Sequence, residues 1–122
     1  MRRVYFFGLI LAAYCSSAMT PPHRSMVGIA SWYSENSPGV RRTTANGERF
    51  DDSKLTCASW HHKMGTYLKV VNLDNGRSVV CRVNDRGPAK RLKRLVDLSK
   101  ASFERIERLN EGLARVAVMP VG

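Results

Sequence analysis

The sequence predicts a mainly β fold, a small closed barrel with one or two short helices. Short apolar stretches recur along the chain, turn residues such as Gly, Pro, Asn and Asp separate them, and helical patterns are confined to one or two brief segments. Many short strands between turns are typical of small barrels. The 122 residues suffice for one domain with a small core, and not for two.

The N-terminus has the pattern of an export signal. Two arginines follow Met1, the apolar stretch over 4–14 is too short to span a bilayer, and small residues before position 19 favour cleavage after Ala18. A membrane anchor or a buried strand is the alternative. The chain is therefore divided into a signal peptide at 1–18, a flexible lead-in at 19–26 and a barrel domain at 27–122.

Cys15 leaves open a second kind of export signal. A cysteine directly after the apolar stretch is typical of bacterial lipoproteins, although the bulky Tyr14 before it disfavours lipidation. Either signal predicts an exported, periplasmic protein. Attachment to the outer membrane is expected only if Cys15 is lipidated.

The net charge indicates an anionic partner. The chain has 20 Lys and Arg against 10 Asp and Glu, a net charge of +10 that falls to +8 without Arg2 and Arg3. Such a domain is attracted to anionic polymers and surfaces. Nucleic acid fits the charge but not the exported compartment, so the sequence predicts no nucleic-acid partner.

Cys57 and Cys81 are the two cysteines that remain after cleavage. An even pair in an oxidising compartment predicts a disulfide between them, and two buried free thiols are the alternative. A metal site is disfavoured because the chain has no C-x-x-C or paired Cys/His spacing.

The first half of the domain alternates strands with turns. Residues 28–33 form a first strand that ends in two aromatics, and Pro38 and Gly39 place a loop over 34–42. Asn46-Gly47 is a tight-turn signal that presents Glu48. A short helical turn is predicted within 51–60, capped near its start by an Asp or Ser.

The second half begins with a β-hairpin. Strands over 67–73 and 77–84 are joined by Asp-Asn-Gly, and a basic run follows at 90–94. Ser99 is predicted to cap a helix that reaches about Leu109, with one apolar face. The closing strand spans 113–121, and its inward residues are Ala114, Val116 and Val118.

The second strand of the hairpin carries the chief candidate site. Its inward residues are Val79, Cys81 and Val83, and it ends in the polar group Asn84-Asp85-Arg86 before Gly-Pro. A carboxylate at the tip of a rigid strand suits a catalytic acid. Asp85 alternatively has only a structural role in the turn, bonding turn amides or pairing with Arg86.

The order of several motifs resembles the rare lipoprotein A family. The motifs are Gly28-Ile29-Ala30-Ser31-Trp32-Tyr33, Thr44-Ala45-Asn46-Gly47-Glu48-Arg49-Phe50, Gly65-Thr66, Asn72-Leu73-x-Asn75-Gly76-Arg77-Ser78-Val79-Val80, Val83-Asn84-Asp85-Arg86-Gly87-Pro88 and Asp97-Leu98-Ser99. They cover about 28–118. The resemblance implies a six-stranded double-psi β-barrel, related more distantly to expansins and barwin-like domains.

The resemblance also implies a reaction. Active members are lytic transglycosylases that cut peptidoglycan glycan strands internally, preferring strands without stem peptides. The 6-hydroxyl of N-acetylmuramic acid attacks its own anomeric carbon and leaves a 1,6-anhydro end. No cofactor or metal is implied. The implied partners are glycan strands and, less directly, the cell-division machinery.

The resemblance assigns roles to particular residues. Asp85 is the expected acid and then base, and Glu48 is the second catalytic carboxylate. A solvated turn residue is the alternative for Glu48. The candidate substrate-binding residues are Tyr33, Asn46, Ser59 and Arg86.

Ser59 departs from the family pattern. Active members have a histidine where Leu55-Thr56-Cys57-Ala58-Ser59 ends in serine, and His61 and His62 are out of register with it. Two functions therefore stay open at this point. One is a lytic transglycosylase that uses another assisting residue, and the other is an expansin-like module that binds peptidoglycan without cutting it.

Overall fold

A computed structural model describes residues 25–122, which form six strands and one short α-helix. Residues 90–92 and 109–111 form 3₁₀ turns. The strands are β1 (Met26–Tyr33), β2 (Thr56–Ala58), β3 (Tyr67–Asn72), β4 (Ser78–Asp85), β5 (Val96–Ser99) and β6 (Leu113–Pro120), and the helix is α1 (Lys100–Glu104).

The six strands close into a barrel in the order β1-β5-β2-β4-β3-β6. The β1–β5 and β2–β4 pairs are parallel, and the other neighbours are antiparallel. Closure pairs every strand on both sides and leaves no free sheet edge. The predicted mainly β, six-stranded barrel is confirmed.

The core fills the barrel with inward side chains from every strand. The predicted inward residues of β4 and β6 are all buried, and Leu68, Val70 and Leu98 join them with no exposed surface. Phe103 and Ile106, from α1 and the turn after it, belong to the same core and are completely buried. Truncating a buried Phe to Ala typically costs about 3–5 kcal/mol, so α1 is held by packing more than by its own length.

The predicted helical turn within 51–60 is wrong. This segment contains β2, whose three residues are all buried and which lies between β4 and β5. Residues paired on both sides adopt the strand conformation whatever their local capping signals, because the tertiary pairing outweighs weak local preferences.

The predicted helix after Ser99 is correct in its start and too long at its end. The Ser102 N–H donates to the Ser99 side chain at 3.2 Å, which confirms the cap. The α-helix ends at Glu104, and looser turns carry Ile106 into the core. The apolar periodicity was therefore satisfied by packing and not by a continuous helix.

The predictions for the N-terminus lie outside the described residues. These are the signal peptide at 1–18, lipidation of Cys15 and most of the lead-in at 19–26. Of the lead-in, only residues 25 and 26 are described, and Met26 already belongs to β1. Within the described part, no helix is long and apolar enough to cross a membrane.

Cys57 and Cys81 are both buried free thiols in the structure. Burial, and then the neighbouring Cys81 thiol, raise the pKa of the Cys57 thiol. The disulfide is not formed here, and it stays a prediction.

Candidate active site

A groove of about 760 Å³ opens where β4 ends and β5 begins, beside the loop after β1. Asp85 and Asp97 supply the carboxyl groups of its lining, with Ala58 between their strands. Aromatic rings of Trp32, Tyr33 and Trp60 also line it. Sugar-binding sites commonly combine such polar groups with aromatic faces, and we therefore examine this groove as the candidate site.

Asp85 is the last residue of β4 and is held by backbone amides. Its Oδ1 accepts hydrogen bonds from the N–H of Ala45 at 3.0 Å and of Arg86 at 2.9 Å. The Arg86 guanidinium donates elsewhere, so the expected side-chain pair between Asp85 and Arg86 is not formed. Turn amides therefore bond Asp85, as its structural alternative predicts, and Asp85 also lines the groove.

Asp97 lies in β5 and is the second carboxyl group of the groove. The Ser31 hydroxyl donates to its Oδ1 at 3.0 Å. Burial raises the pKa of Asp97 to about 6, with a smaller contribution from the charge of Asp85, while the hydrogen bond from Ser31 and the nearby Arg94 act in the opposite direction. Asp97 is thus the group in the groove suited to carry a proton near neutral pH.

The barrel topology sets the spacing of the two carboxyl groups. Ala58 in β2 is paired with Asp85 on one side and with Asp97 on the other. Because neighbouring strands lie about 4.8 Å apart, the two aspartate backbones are roughly 10 Å apart, with only a methyl side chain between them. Ala58 itself is buried, in a cluster with Tyr33 and Phe50.

Tyr33 lines the groove and has a buried hydroxyl. Its ring stacks on Phe50 with centroids 4.6 Å apart, and the hydroxyl has no hydrogen-bond partner among the described residues. Burial, followed by the charges of Asp85 and Asp97, raises the pKa of Tyr33 well above its usual value, so the phenol stays protonated. Its substrate-binding role stays a prediction.

Glu48 lies outside the groove lining, in a bidentate ion pair. Arg82 donates to its two oxygens at 2.6 and 2.8 Å, and the Asn46 Nδ2 donates at 2.6 Å. The bonds from Arg82 and then Asn46 lower the pKa of Glu48 to about 2, so it remains ionised and is no proton donor near neutral pH. Glu48 and Asn46 instead anchor the turn that offers the Ala45 N–H to Asp85.

Ser59 and Arg86 stabilise a neighbouring turn. The Ser59 hydroxyl is buried and bonds to His62 Nδ1 at 2.9 Å, and it is not part of the groove lining. Arg86 lines the groove, but its Nη1 donates to the carbonyl oxygens of Ser59 and His62. Burial, followed by the charges of His61 and Arg86, lowers the pKa of His62, which favours the neutral ring.

One group of carboxylates outside the groove has oxygens close enough for a cation. Glu35, Asp51 and Asp52 bring oxygens within 4.8 Å of one another on the surface. Exposed acidic groups often cluster in this way without a metal, and this cluster shares no residue with the groove lining.

Sequence reasoning assigned no role to Asp97. A usable signal was present, since Leu95-Val96-Asp97-Leu98 sets a single acid in an apolar stretch, which favours burial and a perturbed pKa. The partnership with Asp85 could not be found in this way, because it depends on β2 lying between β4 and β5.

The comparison with protein families identifies this fold. A family model described as lytic transglycolase matches residues 25–118. The chain belongs to the lytic transglycolase family. The match includes all six strands and both carboxyl groups of the groove, and it confirms the barrel family predicted from the order of the motifs.

Relatives of known name support the same family. The endolytic peptidoglycan transglycosylase RlpA of Pseudomonas aeruginosa is 45% identical over 93 residues, which are 76% of this chain and 26% of that protein. The RlpA of Campylobacter jejuni is 43% identical over 95 residues, 78% of this chain and 34% of that protein. The chain thus spans about a quarter to a third of the length of these relatives.

Solved structures share the barrel at low sequence identity. A Streptomyces papain inhibitor has a TM-score of 0.66 at 22% identity and covers 84% of this chain and 98% of its own. A Clavibacter michiganensis expansin, solved with cellohexaose, has a TM-score of 0.62 at 19% identity and covers 80% of this chain and 50% of its own. These likenesses concern the fold alone.

Proposed function

We infer that this domain is an endolytic peptidoglycan transglycosylase that uses Asp97 and Asp85 as a divided acid–base pair. The observation that carries the proposal is two carboxyl groups in one groove with different environments. Asp97 is buried with its pKa raised to about 6, while Asp85 accepts two backbone N–H bonds. The names of the relatives, peptidoglycan transglycosylases at 43–45% identity, support the substrate class.

The proposed reaction needs one proton donor and one acceptor. Protonated Asp97 gives its proton to the glycosidic oxygen as the bond from that oxygen to the anomeric carbon breaks. The 6-hydroxyl oxygen of the same sugar bonds to the anomeric carbon, and its proton passes to Asp85. No water is consumed, and proton exchange with solvent restores both groups. The Asp85 carboxylate also stabilises positive charge on the sugar ring during the transfer.

Other residues position this pair. The Glu48–Arg82 ion pair and Asn46 hold the turn that supplies an N–H to Asp85. Tyr33 offers its free phenol to a sugar oxygen. Ser59 and Arg86 stabilise the turn that carries Trp60. Ser59 does not contact the glycan directly in this scheme.

In this scheme Asp97 and Asp85 share the two proton transfers that the sequence analysis assigned to Asp85 alone. A single carboxyl group that serves as acid and then base would make Asp97 dispensable. The divided scheme requires both groups, and it predicts that removal of either blocks the formation of anhydro ends.

The test is digestion of purified, amidase-stripped sacculi, with anhydro-muropeptide ends measured by mass spectrometry. We expect anhydro ends from wild type and from Asp74→Asn, an exposed control outside the groove, and none from Asp85→Asn or Asp97→Asn. Full activity of Asp97→Asn would indicate that Asp85 alone serves as acid and then as base. Sedimentation of every variant with sacculi, without soluble products, would instead identify an expansin-like binding module.

The cellular setting remains part of the proposal. Export to the periplasm, a Cys57–Cys81 bridge and contact with the cell-division machinery fit a wall enzyme with an N-terminal signal pattern. Fractionation of cells that produce the full chain tests the location, and mutation of Cys15 to Ser tests lipidation by loss of membrane association.

A further inference from the structure

Cations lie in and beside the lining of the groove. Arg41, in the loop after β1, is exposed and lines the groove. Pro88 and Ala89 also line it, and the basic run over 90–94 follows them directly in the chain.

The basic run is fixed against the groove at both of its ends. The Lys90 Nζ lies 4.7 Å from the centroid of the Trp60 ring, and the Trp60 Nε1 donates to the Pro88 carbonyl at 2.6 Å. At the other end, Arg94 is near enough to Asp97 to lower its pKa. Lys93 takes a left-handed conformation, φ 55°, which turns the chain back toward the barrel.

These cations lack ion-pair partners in the part of the chain that the structure describes. Its three ion pairs use other arginines, and none includes Arg41, Lys90 or Arg94. The carboxyl groups in the groove lining are Asp85 and Asp97. Unpaired cations attract a ligand of opposite charge, so these residues favour an anionic ligand in the groove.

We propose that Arg41 in the groove lining, with Lys90 and Arg94 beside it, forms positions that bind a carboxylate of the glycan. The inference rests on the proposed function and names the feature of the glycan that the groove selects. A lactyl group carries a free carboxylate only when no peptide is attached, since the peptide converts it to a neutral amide. Guanidinium groups match a carboxylate with two parallel hydrogen bonds, and an ammonium acts as a point charge.

The test compares two forms of one glycan. Amidase-stripped strands are used with free carboxylates, or after carbodiimide coupling to methylamine has neutralised them. We expect wild type to have a higher kcat/KM on the charged strands, with a preference that weakens at high salt. Arg41→Gln, Lys90→Gln and Arg94→Gln should each lower kcat/KM on the charged strands about threefold, and the triple variant about thirtyfold. On neutral strands the loss should be much smaller for Arg41→Gln and Lys90→Gln, whereas Arg94→Gln also removes a charge that lowers the pKa of Asp97 and so changes activity on both strands.

Arg77→Gln is the matched control, because Arg77 is an exposed cation in the hairpin away from the groove. Equal cleavage of both strands by wild type, or equal loss on both in the triple variant, overturns the inference while the transglycosylase stands. Titration of tryptophan fluorescence with the same strands gives a second readout. If nothing is cleaved and charged strands still bind more tightly than neutral ones through these residues, the proposed reaction fails and the carboxylate site remains.

Discussion

Replacing Asp97 by Asn should remove a specific pH dependence of stability. The pKa of Asp97 rises from 3.8 in the unfolded chain to about 6 in the folded one. Well below pH 3.8 both states are protonated, and Asp97 contributes no pH dependence to the free energy of unfolding. Between pH 4 and 6 the unfolded chain ionises first, so the free energy of unfolding falls as pH rises. At 1.36 kcal/mol per pKa unit, the full loss is about 3 kcal/mol.

The assay is urea unfolding of wild type and Asp97→Asn at pH 4 and pH 8. The asparagine keeps an oxygen that can accept the Ser31 hydrogen bond, so the comparison isolates the charge. We expect the variant to gain about 2 to 3 kcal/mol relative to wild type on going from pH 4 to pH 8, because the carboxyl group of the unfolded chain is already partly ionised at pH 4. Asp74→Asn should show no such gain, since Arg115 lowers the pKa of Asp74. An unchanged difference between wild type and Asp97→Asn at the two pH values would refute the assignment of Asp97 as a buried acid.

Three further changes test the surroundings of the groove. Glu48→Gln should cost at most about 1 kcal/mol of stability. It should lower kcat severalfold without moving the pH optimum, because Arg82 then no longer holds the turn whose N–H bonds Asp85. A shifted pH optimum would instead mark Glu48 as a proton carrier. Tyr33→Phe should leave thermal stability unchanged or raised and reduce kcat/KM about two- to tenfold, since the lost hydroxyl has no protein partner among residues 25–122; equal kinetics would exclude a ligand contact. Chain purified from an oxidising compartment should resist alkylation at Cys57 and Cys81 until it is reduced, and reduction should cost about 3 kcal/mol; alkylation without reductant would contradict the bridge.

Local patterns predicted the strands where the sequence has a clear period. The hairpin of β3 and β4 was found within one residue at each end, because alternation and an Asp-Asn-Gly turn act over neighbouring residues. The strand β2 was missed, since its three residues have no alternation and are fixed by pairing with distant strands. The Ser99 cap was found for the same local reason as the hairpin.

The sequence by itself determined the barrel class, the family and the position of Asp85 at a strand tip, because these follow from periodicity, turn chemistry and the order of motifs. Only the tertiary structure decided which acid carries a proton. Residues 58, 85 and 97 meet through long-range pairing, and burial at that meeting point raises the pKa of Asp97, while an ion pair formed across the fold keeps Glu48 charged. A carboxyl group's proton affinity depends on its neighbours in space, which no local pattern specifies.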